Sequence, residues 1–465
     1  MSTASAPRSQ EFLDSVIKAY DVRGVVGENG FDAAFIREVG AAFGRLMRGE
    51  GAAKVAIGHD MRTSSPELSQ AFAEGVTDQG LDVELLGLTS TDELYYAAGS
   101  LDCPGAMFTA SHNPAKYNGI KMCRAGARPV GQETGLADIV ADLAAGVPAY
   151  DGQRGTITER DVLDSYAGYL RELVDLSGIR QLTVAVDAGN GMGGLTVPAA
   201  FAGLPIELKP LYFELDGSFP NHEANPLEPK NLVDLQHFVV ESCADIGLAF
   251  DGDADRCFVV DEMGQPVSPS AICALIAKRY LADRPGETII HNLITSKAVP
   301  EVVAENGGKA VRTRVGHSFI KGKMAETGAV FGGEHSAHYY FTEFFNADSG
   351  LLAAMHVLAA LGEQERSLSE LMASYQRYAA SGELNTRLAD AQAQRDRAEA
   401  VVEAFRDRAE SIDDLDGVTV QLKDTKAWFN VRASNTEPLL RLNVEAETDE
   451  EVHQLAEEIL GIIRA

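Results

Sequence analysis

The sequence predicts an α/β protein built from several domains, and three observations carry that expectation. The chain has 465 residues, and at roughly 100 to 200 residues per domain it should divide into three or four. Short β-branched runs alternate with Ala/Leu-rich helical stretches along most of its length, the mark of α/β folds. That alternation restarts after Gly and Pro clusters at Asp151-Gly152, Asp261 to Pro269 and Ser381-Gly382, which places boundaries near 160, 262 and 377. The expected segments are therefore 1–160, 161–262, 263–376 and 377–465.

Taken in order, the strands are expected at "KVAIG" from Lys54, "LDVELLG" from Leu81, "LTVAVD" from Leu182, "DIGLAFD" from Asp245, "ETIIHN" from Glu287 and "KAVRTRVG" from Lys309. The C-terminal segment reads differently, as a charged helix "AQAQRDRAEAVVEAFRDRAE", then strands "GVTVQL", "WFNVRAS" and "LLRLNVEAE", then a closing helix. In that last helix Val452, Leu455, Ile459 and Ile463 recur at spacings of three and four, which puts them on one face. The segment is a small α+β unit.

Forty Lys plus Arg against 69 Asp plus Glu give a net charge of -29. Such a surface repels nucleic acids and anionic membranes at long range, so neither is an expected partner. An anionic substrate would need a locally basic pocket. The N-terminus has no apolar secretion core, and no run of about 18 apolar residues occurs, so a cytoplasmic protein is expected. Cys103, Cys123, Cys243, Cys257 and Cys273 are odd in number and lack Cys-x-x-Cys spacing, so reduced thiols are expected rather than disulfides or zinc.

Four stretches carry chemistry. "GLAFDGDADRCFVVDE" sets Asp251, Asp253 and Asp255 at alternate positions behind an apolar strand, followed by Arg256. Three carboxylates so close repel unless a divalent cation sits among them, and Mg²⁺ prefers oxygen ligands while leaving positions open for a phosphate. An EF-hand would need Gly where Arg256 stands and a helix before the loop. In "AMFTASHNPAKYNGIKM", Ser111 and His112 follow a predicted strand, where α/β sheets place their ligand crevices. Asn113-Pro114 and Asn118-Gly119 turn the chain before Lys121. The Gly-x-Ser-x-Gly elbow of a hydrolase serine is missing, so a phosphate-handling loop is the better reading. "GEHSAH" offers Glu334, Ser336 and His338 on alternate positions, which point the same way if the backbone is extended. "RASNTEP" gathers Arg432, Ser434, Asn435 and Thr436 into a donor-rich turn suited to a phosphate.

In this order and spacing the four stretches resemble the α-D-phosphohexomutase superfamily over the whole chain. "TASHNP" is similar to its phosphoserine loop, "DGDADR" to its magnesium loop, "GEHSAH" to its sugar-binding loop and "RASNTEP" to its phosphate-binding loop. "YDVRG", from Tyr20 to Gly24 with Arg23 inside it, is similar to the N-terminal signature of the phosphomannomutase/phosphoglucomutase branch. Phosphoglucosamine mutases, the alternative branch, usually open with a different glycine-rich signature. The chain departs from the pattern at His335 and Ala337, where that branch commonly has Met and Gly. It also carries Ile294 near the position of a basic residue common in the family, with Lys297 three residues on.

The resemblance implies four domains around a central cleft, three related α/β domains and a smaller C-terminal α+β domain. It implies an isomerase interconverting hexose 6-phosphate and hexose 1-phosphate, of mannose, glucose or both. Ser111 would be a phosphoserine whose phosphate oxygen, with Asp251, Asp253 and Asp255, binds Mg²⁺, and a hexose 1,6-bisphosphate would be the intermediate and activator. Arg23, Lys121 and Arg256 would neutralise the moving phosphoryl group, with Lys121 or His112 helping proton transfer. Tyr20, Arg62, His317, Glu334, Ser336, His338, Arg432, Ser434, Asn435 and Thr436 would bind the sugar phosphate. The expected partners are small sugar phosphates, and the chain is expected to be a monomer or homodimer. A metal-dependent phosphatase and a non-catalytic sugar-phosphate sensor are the rival readings.

Overall fold

A computed structural model of the chain describes residues 4–18, 20–434 and 438–465. Packing divides it into two units, Met1–Val267 with Ser336–Leu371, and Ser268–His335 with Met372–Ala465. Among the described residues, no helix is long and apolar enough to cross a membrane.

The first unit holds two sheets. In one, Lys54–His59 lies between Asp82–Leu88 and Gly105–Phe108, parallel to both. Ile157–Glu159 extends the parallel side, while Tyr117–Arg124 runs antiparallel beside Gly105–Phe108 and Val22–Val25 runs antiparallel beside Tyr117–Arg124. Every residue of Gly105–Phe108 is buried. That is why "GAMF" carries no polar alternation: a strand covered on both faces reads as a continuous apolar run. Its carboxyl end delivers Ser111. In the other sheet Ile246–Phe250 lies parallel to Leu182–Asp187, which lies parallel to Ile206–Leu211. Cys257–Asp261 folds back antiparallel on Ile246–Phe250, and Pro266–Val267 carries the sheet on past residue 262. Asp251 to Arg256 form the connection between a fully buried strand and its antiparallel neighbour.

The second unit has a parallel trio, Lys309–Thr313, Thr288–Asn292 and Phe331–Gly333, and a five-stranded antiparallel sheet in the order Ala379–Arg387, Leu439–Ala446, Trp428–Ala433, Val418–Leu422, Ala409–Asp413. The helices Ala391–Phe405 and Asp449–Arg464 cover one face of that sheet, closing a core that includes Phe405, Phe429, Leu442 and Ile459. Val452, Leu455, Ile459 and Ile463 are buried together on the closing helix, as their spacing predicts. Thr448 caps that helix through Glu451 N–H, and Asp449, Glu450 and Glu451 fill its first turn, where the helix dipole favours negative charge. The sequence reading carried the preceding charged helix too far. It ends at Phe405, and Ala409–Asp413 is an edge strand whose exposed, charged residues give little strand signal.

One buried acid contradicts the usual placement of charge. Glu93 closes a capping box with Ser90 at the start of the helix Thr91–Ser100, and burial pushes its carboxyl up to about 8. A carboxyl raised in the folded state favours the protonated form, so its contribution is fully present below the unfolded pKa and is lost as pH rises towards 8. Glu93→Gln keeps the oxygen that accepts from Ser90 N–H. The variant should therefore melt at higher temperature than the unsubstituted protein at pH 8 and close to it at pH 4, measured by calorimetry.

Candidate active site

In the first unit the serine loop and the acidic loop meet backbone to backbone. A Cβ on Gly252 would lie 2.5 Å from the Ser111 carbonyl oxygen, so only glycine permits the approach. Ser111 itself sits at φ +50°, an uncommon conformation for a residue with a side chain. Its N–H is held by Thr109 Oγ1 at 2.9 Å. The hydroxyl Oγ donates to Asp251 Oδ2 at 2.9 Å and lies 3.4 Å from Arg256 Nη2.

The guanidinium of Arg256 also contacts Asp251 through Nε at 2.9 Å and donates to His112 Nδ1 at 2.7 Å. Because a guanidinium only donates, Nδ1 of His112 must accept and the ring proton sits on Nε2. Burial, reinforced by Arg256 and Arg23, holds the His112 imidazole well below its usual pKa. The ring is neutral. Lys121 Nζ contacts Asp253 Oδ2 at 2.6 Å and Asp255 Oδ2 at 2.5 Å. Burial opposes its charge, but Asp253 and Asp255 outweigh that and raise its pKa. Arg23 reaches the serine loop through Asn113 Oδ1 and pairs with Asp21. Tyr20, beside them in sequence, is partly exposed.

Asp251, Asp253 and Asp255 are buried, with one carboxylate oxygen from each inside a 4.8 Å cluster. Asp253 Oδ1 and Asp255 Oδ1 are buried without a hydrogen-bond partner among the described residues, an expensive state for a carboxylate. Burial pushes Asp251 up to about 8, while Lys121 and Thr91 hold Asp253 low against the effect of its own burial. Lys121 and Arg256 face the three acids, yet the free oxygens of Asp253 and Asp255 meet no hydrogen-bond donor among the described residues. A small divalent cation with oxygen ligands fits this donor set.

Arg62 departs from its expected place among the substrate contacts. It is 1% exposed, and its donors go to Asp60 Oδ2 and to the carbonyls of Ser111, Asn113, Pro114 and Tyr117 at 2.7 to 3.1 Å. Four of its N–H donors serve the loop's own backbone and the fifth, Nε, serves Asp60.

The "GEHSAH" stretch turns instead of running extended, because Ala337 adopts φ +66°. Alternate positions therefore do not share a direction. In the first unit His338 Nδ1 lies 3.0 Å from Ser336 Oγ, and its Nε2 lies 3.8 Å from Asp255 Oδ1. In the second unit Glu334 accepts from Asn292 Nδ2 at 3.0 Å and from Gly316 N–H at 3.3 Å. His317 opens the helix that follows Gly316. His335, the departure from the family pattern, is paired with Ser270 Oγ at 3.0 Å. Lys297 Nζ donates to the Lys426 carbonyl.

Arg432 ends its strand in register with Arg441, so the two guanidiniums share one face of the sheet. Glu383 lies 3.5 Å from the first and 3.4 Å from the second, and Arg441 Nη2 donates to Ser434 Oγ at 3.4 Å. Arg432 Nε, Arg441 Nε, Asn430 Oδ1 and Asn443 Nδ2 are all buried on that face without a hydrogen-bond partner among the described residues. Asn435 and Thr436 lie outside the described residues.

Family models for phosphoglucomutase/phosphomannomutase match four successive segments: α/β/α domain I over 14–146, domain II over 164–264, domain III over 268–378 and the C-terminal domain over 383–462. The chain belongs to the phosphoglucomutase/phosphomannomutase family. A phosphomannomutase of Salmonella montevideo is 38% identical over 442 residues, covering 93% of this chain and 95% of that protein. A phosphomannomutase/phosphoglucomutase of Pseudomonas aeruginosa is 37% identical over 464 residues, covering 98% and 96%. The crystal structure of a phosphoglucomutase/phosphomannomutase family protein from Burkholderia thailandensis superposes with a TM-score of 0.86 at 31% identity, covering 97% of each chain. An N-acetylphosphoglucosamine mutase from Aspergillus fumigatus, solved with GlcNAc-6P and magnesium, shares the fold at a TM-score of 0.61 and 13% identity, covering 98% of this chain and 99% of that one.

Two residues of this family member escaped sequence reasoning. Arg441 lies in "LLRLNVEAE", which reads simply as a strand; its signal is register, since it falls directly opposite Arg432. Thr91 opens the ordinary helix Thr91–Ser100, and its sequence context carries no sign of a metal-loop contact. In the structure its hydroxyl donates to Asp253 Oδ2 at 2.6 Å.

Proposed function

We propose that the protein interconverts hexose 6-phosphate and hexose 1-phosphate, of mannose, glucose or both, with Ser111 as the phosphoryl carrier. The observation that carries this reading is a serine hydroxyl 2.9 Å from Asp251 Oδ2 and 3.4 Å from Arg256 Nη2, in a family whose names are those of sugar-phosphate mutases. The phosphoryl group of phospho-Ser111 passes to the free hydroxyl of the bound monophosphate, giving a hexose 1,6-bisphosphate and free Ser111. The bisphosphate turns end for end and its other phosphoryl group returns to Ser111, so phosphate is conserved and the sugar leaves isomerised.

Phosphoryl transfer demands alignment and charge neutralisation more than covalent assistance. Arg256 supplies a guanidinium beside Oγ, Lys121 fixes the carboxylates of Asp253 and Asp255, and Arg23 holds the serine loop through Asn113. Asp251 orients the Ser111 hydroxyl, since its Oδ2 accepts the hydrogen bond from Oγ. His112 orients Arg256 rather than moving a proton, because its Nδ1 is occupied by that guanidinium. Asp251, Asp253 and Asp255 would hold Mg²⁺, whose contribution when bound is to neutralise charge on the phosphoryl oxygens. Tyr20, His317, Glu334, Ser336 and His338 are proposed contacts to the sugar phosphate.

Arg432 and Ser434, with Asn435 and Thr436, supply donors for the phosphate that is not reacting, and Arg441 joins them. Arg441→Ala removes charge-assisted hydrogen bonds worth about 1.5 to 3 kcal/mol. Its KM for hexose monophosphates should rise by at least about tenfold on that energy, with a smaller change in kcat, in steady-state assays.

Coupled assays on mannose, glucose and glucosamine 1-phosphates, each with a trace of the matching 1,6-bisphosphate, test the function. Isomerised sugar without accumulating inorganic phosphate is the expected result. Phosphate release without isomerisation would make the protein a phosphatase, and ligand binding without turnover would make it a sensor.

A further inference from the structure

We infer that Thr91 and Asp92 form a positioning clamp that sets the acidic loop for its metal. The inference rests on the reading of Asp251, Asp253 and Asp255 as metal ligands. Thr91 grips the middle of that loop twice. Its N–H donates to the Asp253 carbonyl at 3.0 Å, and its hydroxyl donates to Asp253 Oδ2 at 2.6 Å. Lys121 binds the same Oδ2. Two donors on one oxygen fix the carboxylate's rotation, and the other oxygen, Oδ1, is left buried and without a hydrogen bond.

The clamp is itself held. Asp92 accepts from Ser90 Oγ through Oδ1, and from Tyr166 OH and Ser349 Oγ through Oδ2, the last two at 2.6 Å. These partners come from three separate stretches of chain. Ser349 caps the helix Gly350–Gly362, and Gly350 presses on the acidic loop from another side: a Cβ there would lie 2.7 Å from the Arg256 carbonyl carbon and 2.9 Å from the Ala254 oxygen. The loop is thus fastened at Asp253 by Thr91 and bounded at Ala254 and Arg256 by Gly350, while Asp92 joins the two fastenings. A buried carboxylate receiving three hydroxyls is a costly way to fill space that apolar side chains fill well. What this one does is keep Thr91 and Ser349 in fixed relation.

Hydrogen bonds to ligating carboxylates typically contribute 10- to 100-fold to metal affinity. Thr91→Val keeps the shape and the main-chain bond but removes the hydroxyl. Thr91→Ser keeps the hydroxyl and loses a methyl. Mn²⁺ binding to the purified full-length protein, followed by electron paramagnetic resonance of free Mn²⁺, should weaken about 10- to 100-fold in Thr91→Val and stay near the unsubstituted value in Thr91→Ser. The Mg²⁺ concentration giving half-maximal mutase activity should move in parallel. Equal Mn²⁺ binding by Thr91→Val and the unsubstituted protein overturns the clamp, and so does equal weakening in both variants, which would point to packing. Failure of the unsubstituted protein to bind Mn²⁺ would instead overturn the metal reading, and the clamp with it.

Discussion

Ser111→Ala should lose mutase turnover by about 10⁴-fold or more, the scale expected when a covalent carrier is removed and only binding and electrostatics remain. Melting temperature should change little, because the lost hydroxyl makes an ordinary hydrogen bond worth about 1 kcal/mol and the alanine methyl fits where Cβ already stands. Phosphopeptide mass spectrometry of active, unsubstituted protein should place phosphate on Ser111. Turnover within tenfold of the unsubstituted enzyme in the alanine variant, or active protein free of phosphate at Ser111, would end the carrier mechanism.

The largest effect on stability is expected at Arg62. Arg62→Met fills similar space but leaves Asp60 without its buried counter-ion and strips the carbonyls of Ser111, Asn113, Pro114 and Tyr117 of their donor. Breaking one partner of a buried pair costs about 3 to 5 kcal/mol, and urea unfolding should register that loss. Arg62→Lys should recover only part of it, since one ammonium with three donors cannot span carbonyls arranged for a planar fork. A destabilisation under about 1 kcal/mol in the methionine variant would show that the loop holds its shape without the clamp.

These two residues also show what the sequence could express. The serine loop and the acidic loop, 140 positions apart, each stood out by its own short pattern: a strand, a serine and a proline turn in one, alternate acids behind a strand in the other. Arg62 enters the expected substrate contacts only through the family resemblance. What sequence could not convey is that four of its donors are consumed by carbonyls some fifty positions away. Backbone carbonyls belong to every residue alike and leave no compositional trace. The same blindness hid Thr91, whose partner Asp253 is 162 positions distant, and it misjudged "GEHSAH", where extended geometry was assumed and Ala337 turns the chain. The α/β architecture was plain because hydrophobic periodicity is a short-range property. The edge strand Ala409–Asp413 was missed because its exposed residues carry no such period.

The polar face of the C-terminal sheet bears on how this enzyme could be improved. With Asn430, Arg432, Arg441 and Asn443 each keeping a buried polar atom unpartnered, the face sits above the free-energy minimum its backbone would allow. Directed evolution for heat resistance alone should drift there first, replacing these side chains with apolar ones that relieve the frustration. The gain in melting temperature would come at the expense of the proposed sugar-phosphate seat, so a thermostability campaign on this protein should hold those four positions constant and search elsewhere.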